Sequence, residues 1–199
     1  MIKKLLFVLL ISVILGVSGC WKNDNKLDTS LLKTIGENSY VFPAYEVILG
    51  EMPFKTQLPT YIPFKGTTAS KLWETSSIIT NNNLEEVSVQ LSVQTFLPED
   101  GPEALLVVAS NYKDESWENT ILGKEVQLSS GLFSKFSYGS NTEDDYVDLR
   151  FNNEGIYYIL IYYNEVQTIE EKEKELIKIA NSLVDYDKWY DKTYLSNKQ

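Results

Sequence analysis

Between Val87 and Tyr163 the chain repeatedly alternates apolar and polar residues with a period of two, and this pattern constrains the fold more than anything else in the sequence. Val87, Val89, Leu91 and Val93 alternate with Ser88, Gln90, Ser92 and Gln94, as in a strand with one buried and one wet face. The turn-forming stretch LPEDGPE follows, and Ala104–Tyr112 reads as the hairpin partner. Val126 and Leu128 oppose Glu125 and Gln127, and Ser129-Ser130-Gly131 turns the chain. Leu132, Phe136 and Tyr138 then share one face of the next strand. Val147, Leu149 and Phe151 alternate with Asp148 and Arg150 up to the turn Asn152-Asn153-Glu154-Gly155. Ile156–Tyr163 (IYYILIYY) is apolar on both faces, as expected of a central strand covered on both sides.

The period changes after Gln167. Thr168 and Glu171 form a capping box, which predicts a helix start. Ile169, Leu176, Ile177, Ala180, Leu183 and Val184 recur at helical spacing, with Glu170, Glu171, Lys172, Glu173, Lys174 and Glu175 on the other side. Leu72–Ile79 adds an earlier strand. Pro43, Pro53, Pro59 and Pro63 break residues 40–65 into extended pieces and turns, and Val47–Leu49 can pair briefly with the sheet. The expected fold is one α+β domain: a twisted antiparallel sheet of about five to seven strands with a C-terminal amphipathic helix on one face.

The N-terminus is a different kind of segment. Lys3 and Lys4 precede Leu5–Val17, which is almost wholly apolar. At about 13 residues it is short for a membrane span, which needs about 20, and matches the apolar region of a signal peptide. It closes on Val17-Ser18-Gly19-Cys20, which resembles the bacterial lipobox. The resemblance implies lipid on the Cys20 sulfur and cleavage between Gly19 and Cys20. It divides the chain into a signal peptide (1–19), a lipidated tether (20–38) and an exported domain (39–199). Two acyl chains on Cys20 give stable attachment to the membrane. Within the tether, Leu31, Leu32 and Ile35 form a short apolar patch that can dock as one helical turn.

Loss of residues 1–19 removes Lys3 and Lys4 from the 18 basic side chains and none of the 28 acidic ones, so the net charge moves from −10 to −12. Such a surface repels phosphate backbones, and nucleic acid is excluded as a partner. It is also repelled by anionic lipid, so charge does not lay the domain flat on a bilayer.

From Leu58 to Val184 a series of features resembles the DUF4367 family. The segment Leu58-Pro59-Thr60-Tyr61-Ile62-Pro63 comes first, then a strand hairpin, a strand ending in Gly131 and an aromatic strand. VDLRF-NNEG-IYYIL and the closing helix with IANSLV complete the series (core about 58–184). The resemblance implies an exported, membrane-anchored protein of a Gram-positive bacterium, on the outer face of the cell membrane. Its motifs are packing and turn signatures, so it carries over no catalytic residue.

The residues also limit the chemistry. Histidine is absent, which removes the usual base of serine and cysteine hydrolases and the usual zinc ligand. Cys20 is the only cysteine, so neither a disulfide nor a thiolate cluster forms within the chain. Ser30–Lys33 and Ser110–Lys113 match S-x-x-K, a pattern expected by chance here, and neither has a K-T-G or S-D-N companion. Glu143, Asp144, Asp145 and Asp148 are an acidic cluster from which a carboxylate hydrolase of envelope glycans would be built, with Glu125 or Asp114 as further acids. The plain reading is a solvated loop with none of the four acids deeply buried. Residues 141–145 lack the ligand order of a calcium loop, and no phosphate-binding loop occurs. No cofactor is expected. Tyr157, Tyr158, Tyr162, Tyr163 and Phe136 are the candidate ligand face, although aromatic strands more often form core. The expectation is a non-enzymatic lipoprotein binding a protein or an envelope ligand. The alternatives are the carboxylate hydrolase and a carrier holding an acyl chain between sheet and helix. Cys20→Ala is expected to abolish incorporation of labelled fatty acid; mass spectrometry showing an unchanged lipidated N-terminus in this variant would refute the lipobox assignment.

Overall fold

The computed structural model describes residues 26–30, 32–41, 49, 52–64, 75–97, 101–113, 117, 123–138 and 146–189. The signal segment with Gly19 and Cys20, the acids Asp114, Glu143, Asp144 and Asp145, the Val47 site and residues 190–199 lie outside the described residues. Among the described residues, no helix is long and apolar enough to cross a membrane.

One antiparallel sheet of nine strands dominates, rather than the five to seven expected. In chain order the strands are β1 (Lys33–Gly36), β2 (Ser39–Val41), β3 (Gln57–Pro59), β4 (Thr75–Thr80), β5 (Val87–Leu97), β6 (Gly101–Ser110), β7 (Gly123–Gln127), β8 (Phe133–Tyr138), β9 (Tyr146–Asn153), β10 (Ile156–Asn164) and β11 (Leu183–Asp185). The large sheet runs β1-β2-β4-β5-β6-β10-β9-β8-β7, and β3 and β11 form a separate two-stranded ribbon. The large sheet is therefore two meanders welded where β10 pairs with β6, from Tyr157↔Ser110 to Asn164↔Glu103. The extra strands come from β1 and β2, a short hairpin whose few residues give no periodic signal. The patch around Leu32 and Ile35 is thus not a helical turn: Ile35 lies on β1 and is exposed. The ordered domain also begins before residue 39, because Leu27 is buried and its N–H donates to Leu84 O at 2.9 Å.

The tight turns follow from local chemistry. Between β9 and β10, Glu154 (φ 52°) and Gly155 (φ 87°) both have positive φ, the geometry of a two-residue hairpin loop that matches strand twist. Asn152 Oδ1 accepts the Gly155 N–H at 3.2 Å. Between β7 and β8, Gly131 (φ 87°) donates to Leu128 O at 2.9 Å, as the Ser-Ser-Gly signal predicts.

Alternation puts one side chain in two on the inner face, and the register aligns these in rows. One row is Leu91, Val107, Leu160, Leu149 and Phe136; the next is Val93, Leu105, Tyr162, Val147 and Tyr138. Helix α1 (Ile169–Asn181) covers part of this face, with its capping box formed as expected: Thr168 Oγ1 accepts from Glu171 N, and Thr168 N donates to Glu171 Oε2. The buried face of α1 is Lys172, Leu176, Ile179 and Ala180. Ile169 is exposed, Ile177 is half-buried, and Leu183 and Val184 leave the helix to form β11. Their helical spacing continued by coincidence past Ser182, where the helix is capped.

The rest of the inner layer is built from distant parts of the chain. Leu183, Val184 and Asp185 pair with Pro59, Leu58 and Gln57. The short helix α2 (Tyr186–Trp189) then brings Trp189 into the core, where Nε1 donates to Pro59 O at 2.8 Å. Tyr158 Oη accepts the Gln57 N–H at 2.9 Å, tying ribbon to sheet. Thr56 Oγ1 is buried here with no hydrogen-bond partner among the described residues.

Leu176→Ala is expected to lower stability by about 2–5 kcal/mol, because it removes buried methyl groups and leaves a cavity. Leu183 is only half-buried, so Leu183→Ala is expected to cost less. Urea unfolding distinguishes the two; equal losses would show that α1 does not dock through Leu176.

Candidate binding groove

Adjacent residues on a strand point to opposite faces, and this divides the five aromatic candidates. Tyr158 and Tyr162 are on the inner face with 1% and 0% exposure, so they are core and not a ligand face. Tyr158 stacks on Phe151 at 5.2 Å, and Tyr162 lies against Phe64 at 6.0 Å. Tyr157 and Tyr163 fall in the alternate register and are half-buried. Trp117 meets Tyr157 edge-on at 5.1 Å, and Lys172 Nζ sits 6.0 Å from the Tyr163 ring. The five residues therefore do not form one surface.

Phe136 is also buried, but it floors an open, partly apolar groove. At the corner where edge strand β7 meets the first turn of α1, a groove of about 470 Å³ is lined by Lys124, Phe136, Tyr138, Ile169, Glu170 and Glu173. Tyr138 and Ile169 are 46% and 44% exposed. Lys124 Nζ bridges to Glu173 Oε2 at 2.6 Å and lies 5.7 Å over the Phe136 ring. Ile169, which the helical spacing places on the apolar face of α1, is exposed here instead. The groove brings together residues from three elements, so no local sequence signal marks it. Val166 and Tyr146, also exposed, belong to the same end of the sheet. A smaller cavity of about 330 Å³ lies between Met52–Thr56 and Asp185–Asp187.

Of the acidic cluster, only Asp148 is described, and it is buried, against the expectation of a solvated acid. It accepts from Ser137 Oγ at 2.6 Å and from Arg150 Nε at 2.6 Å. Arg150 is the sole arginine in the chain and shares its strand face with Asp148, so the charge is compensated where water is scarce. A second buried polar group lies at the end of β10, where Asn164 Nδ2 donates to Glu103 Oε1 at 2.5 Å and to Tyr162 Oη at 3.3 Å. Tyr162 Oη in turn donates to Gln167 Oε1 at 3.1 Å. Both groups have their hydrogen bonds met within the fold. Among the described residues, no group of three or more acidic, histidine or cysteine side chains is placed to hold a metal ion.

No protein-family model, no curated protein and no solved structure matches this chain.

Burial raises the Tyr158 hydroxyl from its ordinary value of 10.0 to about 12, with the Gln57 N–H opposing and Asp185 adding to the shift. The folded state favours the neutral phenol. This contribution to stability is complete below about pH 10 and is lost as pH rises through about 12. The thermal unfolding midpoint is expected to fall over that interval, and Tyr158→Phe to flatten the fall; an unchanged alkaline profile in the variant would show that Tyr158 does not contribute.

Proposed function

We propose that this chain is a lipoprotein, anchored through Cys20 on the outer face of the cell membrane of a Gram-positive bacterium, and that its domain is a non-enzymatic binding module for a protein or envelope ligand. The likeness of residues 58–184 to the DUF4367 family belongs to the same proposal. The observation that carries the binding role is the groove beside β7. It offers exposed apolar surface from Tyr138 and Ile169, a floor from Phe136 and an acidic wall from Glu170 and Glu173. Exposed apolar surface rimmed by charge marks interaction sites. Of the acids weighed for catalysis, Asp148 is buried and engaged by Ser137 and Arg150.

The position of the groove between helix and sheet also favours one further reading, the acyl-chain carrier, because its volume falls in the range of small-molecule sites. The open, charged rim argues for a ligand with polar groups over a bare hydrocarbon chain.

A photo-crosslinking amino acid at Tyr138 in the membrane-displayed protein is expected to give a discrete adduct. The same probe at Gln94, exposed on the opposite sheet face, is expected to give none. Ile169→Glu should cut the Tyr138 adduct about tenfold, equivalent to about 1.4 kcal/mol. Equal adducts at both positions would remove the groove from consideration, and an adduct made only of extracted lipid would favour the carrier.

A further inference from the structure

The two ends of the sheet differ in how they connect to the N-terminal tether. The first described residues meet the β4–β5 turn: Leu27 N donates to Leu84 O at 2.9 Å, and Lys26 Nζ reaches Glu85 Oε1 at 3.4 Å. Leu84 itself has φ 61°, a strained value for a leucine, within a turn organised by Asn81, whose side-chain oxygen accepts from Glu85 N and Glu86 N. The β9–β10 turn and Asn111, at the end of β6, share this end of the sheet, because Tyr157 pairs with both Asn152 and Ser110. The groove is at the other end, with Tyr138, Val166 and Ile169.

Chain length turns this into a statement about orientation. From Cys20 to Leu27 there are seven residue steps, so the connection reaches at most about 23–25 Å when fully stretched. At about 3.4 Å per residue, β10 and β5 span about 27 Å and about 34 Å. A domain turned with its groove end on the bilayer would hold Leu27 farther from the surface than its own connection reaches. Net charge disfavours lying flat on anionic lipid. Ile35 and Phe133 are exposed at the tether end, where apolar side chains can enter the interfacial layer.

We propose that the end of the sheet formed by the β4–β5 and β9–β10 turns faces the lipid headgroups, and that the groove beside β7 opens away from the membrane. The inference rests on the lipid anchor at Cys20. It also narrows the partner: a groove held about one strand length above the bilayer serves a ligand of the cell wall or the medium, not an acyl chain drawn from the underlying lipid.

Lipidation occupies the only native cysteine, so single introduced cysteines label cleanly. Asn83→Cys reports the tether end and Val166→Cys the groove end, both at exposed positions. The labelled lipidated proteins are placed in phosphatidylcholine vesicles carrying a headgroup-linked energy-transfer acceptor. Transfer from position 83 is expected to exceed that from position 166 severalfold. Inserting a flexible segment as long as the sheet after Asn25 should largely erase the difference. Equal or reversed transfer in the native-length protein overturns the orientation. A difference that survives the longer tether overturns the reach argument. Attachment of the Cys20→Ala protein to the same vesicles would instead overturn the anchor, so the two failures are distinguishable.

Discussion

The antiparallel seam between β6 and β10 holds the molecule together. Each meander is made of local hairpins, but neither has a closed core: each would leave a long apolar strand as a bare edge, open to pairing with other chains. Pairing Tyr157–Asn164 with Glu103–Ser110 removes both edges at once and makes the inner rows continuous, so that Val107 meets Leu160 and Leu105 meets Tyr162. Helix α1 and the ribbon then have a single apolar surface to cover. Both buried polar groups flank this seam, with Glu103 and Asn164 at one end of it and Asp148 one strand away.

What remains open is at the margin. β7 is the last strand of the sheet, and its exposed residues include Lys124 and Glu125. Charges on an edge strand discourage indiscriminate strand addition. The Lys124–Glu173 bridge also sits at the mouth of the groove. A ligand that supplies its own charges can replace this bridge, whereas a purely apolar one leaves two ions to be desolvated. Lys124 therefore serves twice, as a charge on the edge strand and as part of the rim of the groove beside it.

The sequence made legible what is decided within a few residues. Period-two alternation, the Asn-Asn-Glu-Gly and Ser-Ser-Gly turns and the Thr168–Glu171 capping box all appear where expected, because each is settled by its own neighbours. The pairing of Leu183–Asp185 with Gln57–Pro59 was not legible, and Leu183 and Val184 were taken for helix because their spacing fits both states. The short β1 and β2 hairpin carries too few residues for a period to register. Asp148 was read as solvated because its burial comes from the opposed strands, with Arg150 two positions along to compensate it. Neighbours on a strand cannot share a face, so the alternation itself separates Tyr157 from Tyr158 and Tyr162 from Tyr163. The groove depends on β7, β8 and α1 meeting at a corner, and only the tertiary arrangement brings Lys124, Tyr138 and Ile169 together.

The β3–β11 ribbon joins stretches near opposite ends of the domain, and the bond from Trp189 to Pro59 spans 130 residues. Contacts of such separation form late, because the intervening chain must first be ordered. The inner layer thus stays incomplete until the last tenth of the chain is present. For a chain exported from its N-terminus, as proposed above, this delay would be useful: while the C-terminal residues were still inside, the segments already outside would lack their covering layer. Under the export proposed above, the chain would cross as a pliable thread, and the arrival of Trp189 would act as the latch that completes the domain on the far side.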